Sequence, residues 1–306
     1  MNRDRFFAIF ITIMILFFMS LGTIFSKLAL RSIQPITLTW TTIAVGLFSM
    51  VVYTFVIKRE RIPNLNKQVW IYIILIGFFN FVVSRYTQTF ALNMLPAITS
   101  TYISNFIGFI TMAMSIFILK EKPTIFQFLG AVIAIIGLKI FYIKIPATKE
   151  IFAIILILIG ITGVAFTNNI ARKLSIITNN ELSNNIISTL AIVIGGGLSV
   201  IIGIALDWPP HIQGIISWGT ILYVGIFSTA IGLTLWNKIL RVLRSYEASI
   251  LGSSNIIWTA ILAVPILGET LSINQVEGIA LMILGLILVQ VRSRKLNIVF
   301  NRGKNN

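Results

Sequence analysis

Apolar residues run through this chain in long, nearly unbroken stretches separated by short polar breaks. The stretches cover approximately residues 6–25, 36–57, 69–91, 95–119, 124–143, 150–171, 184–206, 214–237, 246–267 and 272–291. Each is long enough for a helix to cross about 30 Å of hydrocarbon at about 1.5 Å per residue. The pattern predicts an all-α membrane protein of ten transmembrane helices with no soluble domain. The first stretch is long and lacks a small-residue cleavage site, so a retained helix is expected there rather than a signal peptide. A short basic tail, RSRKLNIVFNRGKNN, ends the chain.

The pattern also repeats. FILKEKPTIFQFLGAVIAIIGLKIF (117–141) and PILGETLSINQVEGIALMILGLILV (265–289) align without a gap at an offset of 148. Leu119 meets Leu267, Glu121 meets Glu269, Gln127 meets Gln275, Gly130 meets Gly278 and Gly137 meets Gly285. Upstream, Gly77 meets Gly225 and Leu95 meets Leu243. The second copy comes five helices after the first, an odd number, so it should lie upside down in the membrane. The expected fold is a 5+5 inverted-topology repeat, with one unit over residues 1–145 and the other over 146–306. Such repeats are an architecture of secondary transporters, in which two halves exchange conformations around a central site.

Composition narrows the chemistry. The 306 residues are 57% hydrophobic and 11% charged, with a mean hydropathy of +0.95. A soluble chain carries roughly 25% charged residues, so one aqueous core could not hide this much apolar surface. No cysteine and a single histidine, His211, argue against disulfides and against a thiolate or His-based metal centre. No cofactor is expected. The net charge of +15 belongs to loops that set orientation rather than to a nucleic-acid surface. With the N-terminus inside, inside segments hold 18 of the 24 basic residues and outside connections hold 4. That bias places both termini in the cytoplasm.

The repeated turns carry helix-start signals. Thr124–Gln127 and Ser272–Gln275 each fit a capping box. Glu121 and Glu269 lie just before, where a carboxylate suits the positive end of the following helix. A structural role is the first reading for both, with gating or coupling as the alternative. The paired glycines point to close helix contact.

On LKEKPTIFQFLG and LGETLSINQVEG, each followed by a second glycine, the chain resembles the EamA-type exporters of the drug/metabolite transporter superfamily. The resemblance covers nearly the whole chain and extends to the ten-helix layout and the doubled five-helix unit. It departs at Lys120, where a glycine usually precedes the glutamate, and at Leu21-Gly22, where Trp-Gly is common. The resemblance implies export of small metabolites, such as amino acids and their derivatives, across the bacterial inner membrane. It also implies a central cavity lined mainly by helices one, three, four, six, eight and nine.

Polar groups deep in apolar stretches mark candidate site residues. Arg85 is the boldest, and it either snorkels to headgroups or faces the cavity and binds a carboxylate or other anion. Tyr86, Gln88 and Thr89 surround it. Thr101, Tyr102 and Asn105 share a face of helix four, while Asn168 and Asn169 lie on helix six. Trp236 and Asn237 close helix eight; helix nine offers Glu247, Ser254, Asn255 and Trp258. Each asparagine has helix–helix hydrogen bonding as its alternative. Tyr86, Tyr102, Trp236 and Trp258 form either a stacking surface or interfacial belts. Glu247 reads as an ion pair or helix-start charge before a proton relay. Gly195-Gly196-Gly197 either lets helix seven bend or packs closely. The expected substrate-binding set is therefore Arg85, Tyr86, Gln88, Tyr102, Asn105, Asn168, Trp236, Ser254, Asn255 and Trp258.

The function expected is that of a transporter whose partners are a small-molecule substrate and the lipid bilayer, with no nucleic acid; a homodimer is admitted. An importer of the same fold is the closest rival. A channel should show charge rings or a filter loop, and a lipid-acting enzyme should cluster His, Asp or Cys. Neither signal is present, so no catalytic residues are expected.

Overall fold

The computed structural model describes residues 3–120, 124–142, 147–179, 181–242, 248, 252 and 255–290. Among them there is no strand. Among the described residues seven helices are long and apolar enough to cross a membrane. We number these α1 (Arg3–Ala29), α2 (Pro35–Ile57), α3 (Lys67–Met94), α4 (Ala97–Ile118), α6 (Thr148–Ile177), α7 (Asn184–Asp207) and α8 (Gly214–Trp236, continuing to Val242). Three shorter apolar helices are α5 (Ile125–Phe141), α9 (Asn255–Leu267) and α10 (Ile273–Gln290). Each falls within an apolar stretch of the sequence. The start of the ninth stretch lies largely outside the described residues.

Local chemistry sets the ends. Asn66 accepts the Val69 N–H at 2.9 Å to open α3. Both predicted capping boxes are formed. The Thr124 N–H donates to Gln127 Oε1 at 2.7 Å and Gln127 N–H returns to Thr124 Oγ1 at 3.4 Å. The Ser272–Gln275 pair repeats this at 3.0 and 3.3 Å. Glu269 departs from expectation. Its carboxylate serves α4, accepting the N–H groups of Ala97 at 2.6 Å and Ile98 at 3.0 Å. The Ser272 box already satisfies α10, so the acid is free to cap a helix distant in sequence. Glu121 lies outside the described residues.

The chain divides into two compact units. The larger comprises residues 1–119 and 146–270 and contains α1–α4 and α6–α9. Its core gathers Ile43, Met50, Ile73, Ile76, Leu174 and Ile192, all buried. Outward-facing residues are as apolar as the core; Phe117 is 82% exposed and Ile215 85%. Only a lipid solvent leaves such side chains at no cost.

Two features of the larger unit recur at the repeat offset. A π-helical segment, Phe78–Ser84, interrupts α3, and another, Val224–Ile231, interrupts α8. Shifted by 148 residues, the first falls on the second almost in register. Two further π segments, Val52–Ile57 in α2 and Ile192–Gly196 in α7, do not coincide at that offset. Each inserts an extra residue into its turn and re-aims the side chains that follow. The helix crossings are paired as well. Gly77 of α3 lies against Gly195 of α7, where a Cβ on either would strike the other's backbone. Gly225 of α8 lies against Val45 and Gly46 of α2, and a Cβ on Gly46 would come within 3.0 Å of the Gly225 carbonyl. Both crossings join a helix of the first repeat to a helix of the second.

The smaller unit covers residues 120–145 and 271–306 and pairs α5 with α10. A Cβ on Gly137 would lie 2.9 Å from the Gly278 carbonyl, and one on Gly278 would lie 2.8 Å from the Gly137 carbonyl. Gly285 meets the Gly130 carbonyl in the same way. Position numbers rise along α5 as they fall along α10, so the helices run antiparallel. The repeat-equivalent glycines exchange partners across that pair.

Candidate functional site

A cavity of about 350 Å³ lies within the larger unit. Its wall is built by α1, α3, α4, α6, α8 and α9 together with Gly252, and so by helices of both repeats. These are the helices that the family resemblance implies.

α3 supplies the polar stripe. Asn80, Ser84, Arg85, Gln88 and Thr89 all line the cavity. The π segment makes this possible, because its extra residue brings Asn80 and Ser84 onto the face of Arg85. Ser84 Oγ donates to the Phe79 carbonyl at 2.7 Å and to the Gly160 carbonyl at 2.8 Å, tying the irregular turn to α6. Arg85 turns inward rather than snorkelling to headgroups. Its Nη2 donates to Thr229 Oγ1 of α8 at 3.3 Å.

α4 is broken where it meets the cavity. Its first segment ends at Ser104, Asn105 caps it, and helix resumes at Ile107. The Asn105 N–H is shared between the carbonyls of Thr101 at 3.1 Å and Tyr102 at 3.2 Å, and the Phe109 N–H closes a tight turn on Phe106. Ser100, Thr101, Ser104 and Asn105 line the cavity around this break. Discontinuous helices that turn polar backbone toward a cavity recur at transporter binding sites.

Facing these, Asn168 of α6 accepts a hydrogen bond from Trp236 Nε1 of α8 at 2.9 Å, and both line the cavity. Asn169, next in sequence, points elsewhere: its Nδ2 donates to the carbonyls of Thr111 at 3.1 Å and Ala165 at 3.0 Å. Two adjacent asparagines thus divide between cavity wall and helix–helix adhesion. Asn255 lines the cavity from α9, its Oδ1 accepting from Ser20 of α1.

Six of the ten expected residues therefore meet in one cavity: Arg85, Gln88, Asn105, Asn168, Trp236 and Asn255. Ser254, like Glu247, lies outside the described residues. Three point elsewhere. Tyr86 turns toward α7, where its hydroxyl donates to the Ser199 carbonyl at 2.9 Å. Tyr102 is fully buried in helix packing, edge-on to Phe106. Trp258 packs edge-on against Phe17 at 5.3 Å between ring centroids. A shared stacking surface of four aromatics is not formed, and Trp236 alone faces the cavity. Sequence reasoning passed over Asn80, Ser26, Ser104 and Ser228. Asn80 had a visible signal, a lone amide in the apolar run GFFNFVV. The single serines had none, since a hydroxyl bonds its own helix as readily as a solute.

A membrane-embedded helical protein whose two repeats both wall one polar cavity has the fold of a membrane transporter. The EamA-like transporter family matches residues 6–143 and again 151–291, and the chain belongs to that family. No curated protein matches the chain. Twenty-eight chains of solved structure match. One of them, titled only as a crystal structure of a protein, is 14% identical, with a TM-score of 0.69. The match covers 95% of this chain and 98% of that one. Likeness at that identity speaks for the fold alone.

Proposed function

We propose that the chain is a secondary transporter that exports small metabolites, such as amino acids or their derivatives, by alternating access. In this reading ten spans form two oppositely oriented units, 1–145 and 146–306, in a bacterial inner membrane, with both termini cytoplasmic. The observation that carries the reading is the shared cavity, which has polar residues from both repeats at its wall. Rocking one repeat against the other would open such a cavity to alternate sides. The antiparallel α5–α10 pair supports the inversion, since its repeat-equivalent glycines swap partners. The crossed pairing of α3 with α7 and α8 with α2 supports it again. The 18-to-4 distribution of basic residues supports the orientation. Arg85, Gln88, Asn105, Asn168, Trp236 and Asn255 would contact the solute, and no covalent step enters.

Reconstitution into proteoliposomes tests the proposal. The protein should exchange labelled metabolites down a preset gradient, while Arg85→Ala and Asn105→Ala lose flux and stay folded by size-exclusion chromatography. Normal flux from both variants would remove the cavity from the mechanism. Loading experiments in whole cells decide direction, and uptake without efflux would make the protein an importer.

A further inference from the structure

Among the described residues, the cavity lining holds one full charge and no opposite one. Arg85 is the sole ionisable side chain among the described residues lining it. A guanidinium offers five N–H donors in a planar fork. Here it makes one long hydrogen bond, at 3.3 Å, to the neutral hydroxyl of Thr229. Among the described residues no carboxylate pairs with it. A cation at bilayer depth is costly to keep without a counter-ion, so the solute is the natural source of the missing charge.

A second observation points the same way. Ser228, next to Thr229 in the chain, lines the cavity, is 8% exposed, and its Oγ bonds no protein group. A buried hydroxyl with no partner is a donor held ready for something that enters. The amides of Asn80 and Gln88 line the same wall. The lining also includes apolar side chains, among them Leu16, Met19, Phe81, Ile161 and Leu233. Among the described residues no acidic side chain lines the cavity to receive an ammonium group.

We propose that the solute is an amphipathic monoanion: a single carboxylate held by Arg85 and Ser228, an apolar body against the apolar lining residues, and no free amine. N-acylated amino acids and branched or aromatic monocarboxylates have this form. A dianion such as a phosphate monoester would bring more charge than one guanidinium balances. The planar carboxylate also matches the fork of the guanidinium, which can bind it through two parallel hydrogen bonds. This inference rests on the transporter reading above and narrows its substrate class.

The test uses sets of compounds that share one apolar body and differ only in the head group. One set is 4-methylpentanoate, its amide, 3-methylbutylamine, leucine and N-acetyl-leucine; the phenyl series forms a second. Flux into proteoliposomes and thermal stabilisation of the purified protein are measured for each. The acids should be favoured over their amides by at least about tenfold, the worth of one charge-assisted hydrogen-bonded contact. Arg85→Gln should bring that ratio close to one, and Arg85→Lys, which keeps the charge but not the fork, should retain part of it. If Arg85→Gln does not fold, the lysine variant and the wild-type ratio still decide. Preference for leucine or for the amine, or an acid preference that survives in Arg85→Gln, would overturn the anion assignment. Flux of amides or amines without the acids would sink that assignment and leave the transporter reading standing. Flux of no compound in either set would remove both.

Discussion

Lys27 and Glu269 grip opposite sides of one turn. The Lys27 ammonium donates to the carbonyls of Leu92 and Leu95, each at 2.7 Å, and of Asn93 at 3.4 Å, where α3 ends. The Glu269 carboxylate accepts the first N–H groups of α4, Ala97 and Ile98. A cation thus sits at a negative helix end and an anion at a positive one, with Pro96 between them. The two residues come from opposite ends of the sequence. Together they fasten α1 and the end of α9 to the hairpin that carries Arg85 and Asn105.

Removing the anion should loosen that hairpin. Glu269→Ala strips two charge-assisted hydrogen bonds from backbone donors, and should cost on the order of 1.5–3 kcal/mol. Glu269→Gln keeps an acceptor oxygen and should cost less. Thermal unfolding in detergent, with hydrogen exchange read over residues 92–98, checks both the size of the loss and its place. Unchanged exchange there in Glu269→Ala would refute the clamp.

The glycine triple of α7 provides a matched pair. Gly195 touches the Gly77 backbone, whereas a Cβ on Gly197 would meet nothing within 4 Å. Gly195→Ala should therefore cost about 1–3 kcal/mol by overpacking. Gly197→Ala should be neutral, or stabilise by up to about 1 kcal/mol through helix propensity. Melting temperatures and folded yields of the two variants measure the difference. Equal effects would argue that the triple serves bending rather than contact.

Trp236→Phe keeps an aromatic ring at the cavity and removes the N–H that bonds Asn168. The loss should cost about 0.5–1.5 kcal/mol of stability and raise the KM for transport several-fold, because the Asn168 side-chain oxygen loses the donor that ties it to α8. A flux titration alongside a melting curve separates the two effects.

The break in α4 should matter for flux more than for stability. Asn105→Ala replaces a poor helix former with the best one, a preference of up to about 0.7 kcal/mol per residue. Little change in melting temperature is expected, with a clear loss of exchange in proteoliposomes. Full activity would show that the irregular turn is incidental to transport.

Some of this was legible in the sequence because it is local. Apolar length set the helices, two capping boxes opened α5 and α10, and the matched phrases at one offset revealed the doubling. Arg85, Asn105, Asn168 and Asn255 stood out because polar groups at such depth need a partner. Other features were not legible because they depend on what lies across a helix. Nothing in the order of residues says that Asn168 meets a tryptophan while Asn169 meets a backbone carbonyl. The π segments shift helix phase by a residue, so a uniform 3.6-residue wheel misassigns the faces beyond them. Glu269 was assigned to the helix it precedes and instead caps one some 170 residues away, since a carboxylate binds whichever unsatisfied N–H groups packing brings to it.

By itself, then, the sequence determined the solvent, the helices and the repeat, because hydrophobic length and capping act within a few residues. Only the tertiary structure decided which side chains share the cavity, which glycines bear the crossings and which helix each cap serves. Those outcomes depend on the directions in which packed helices present their faces, and direction is a property of the assembled bundle rather than of any stretch of chain.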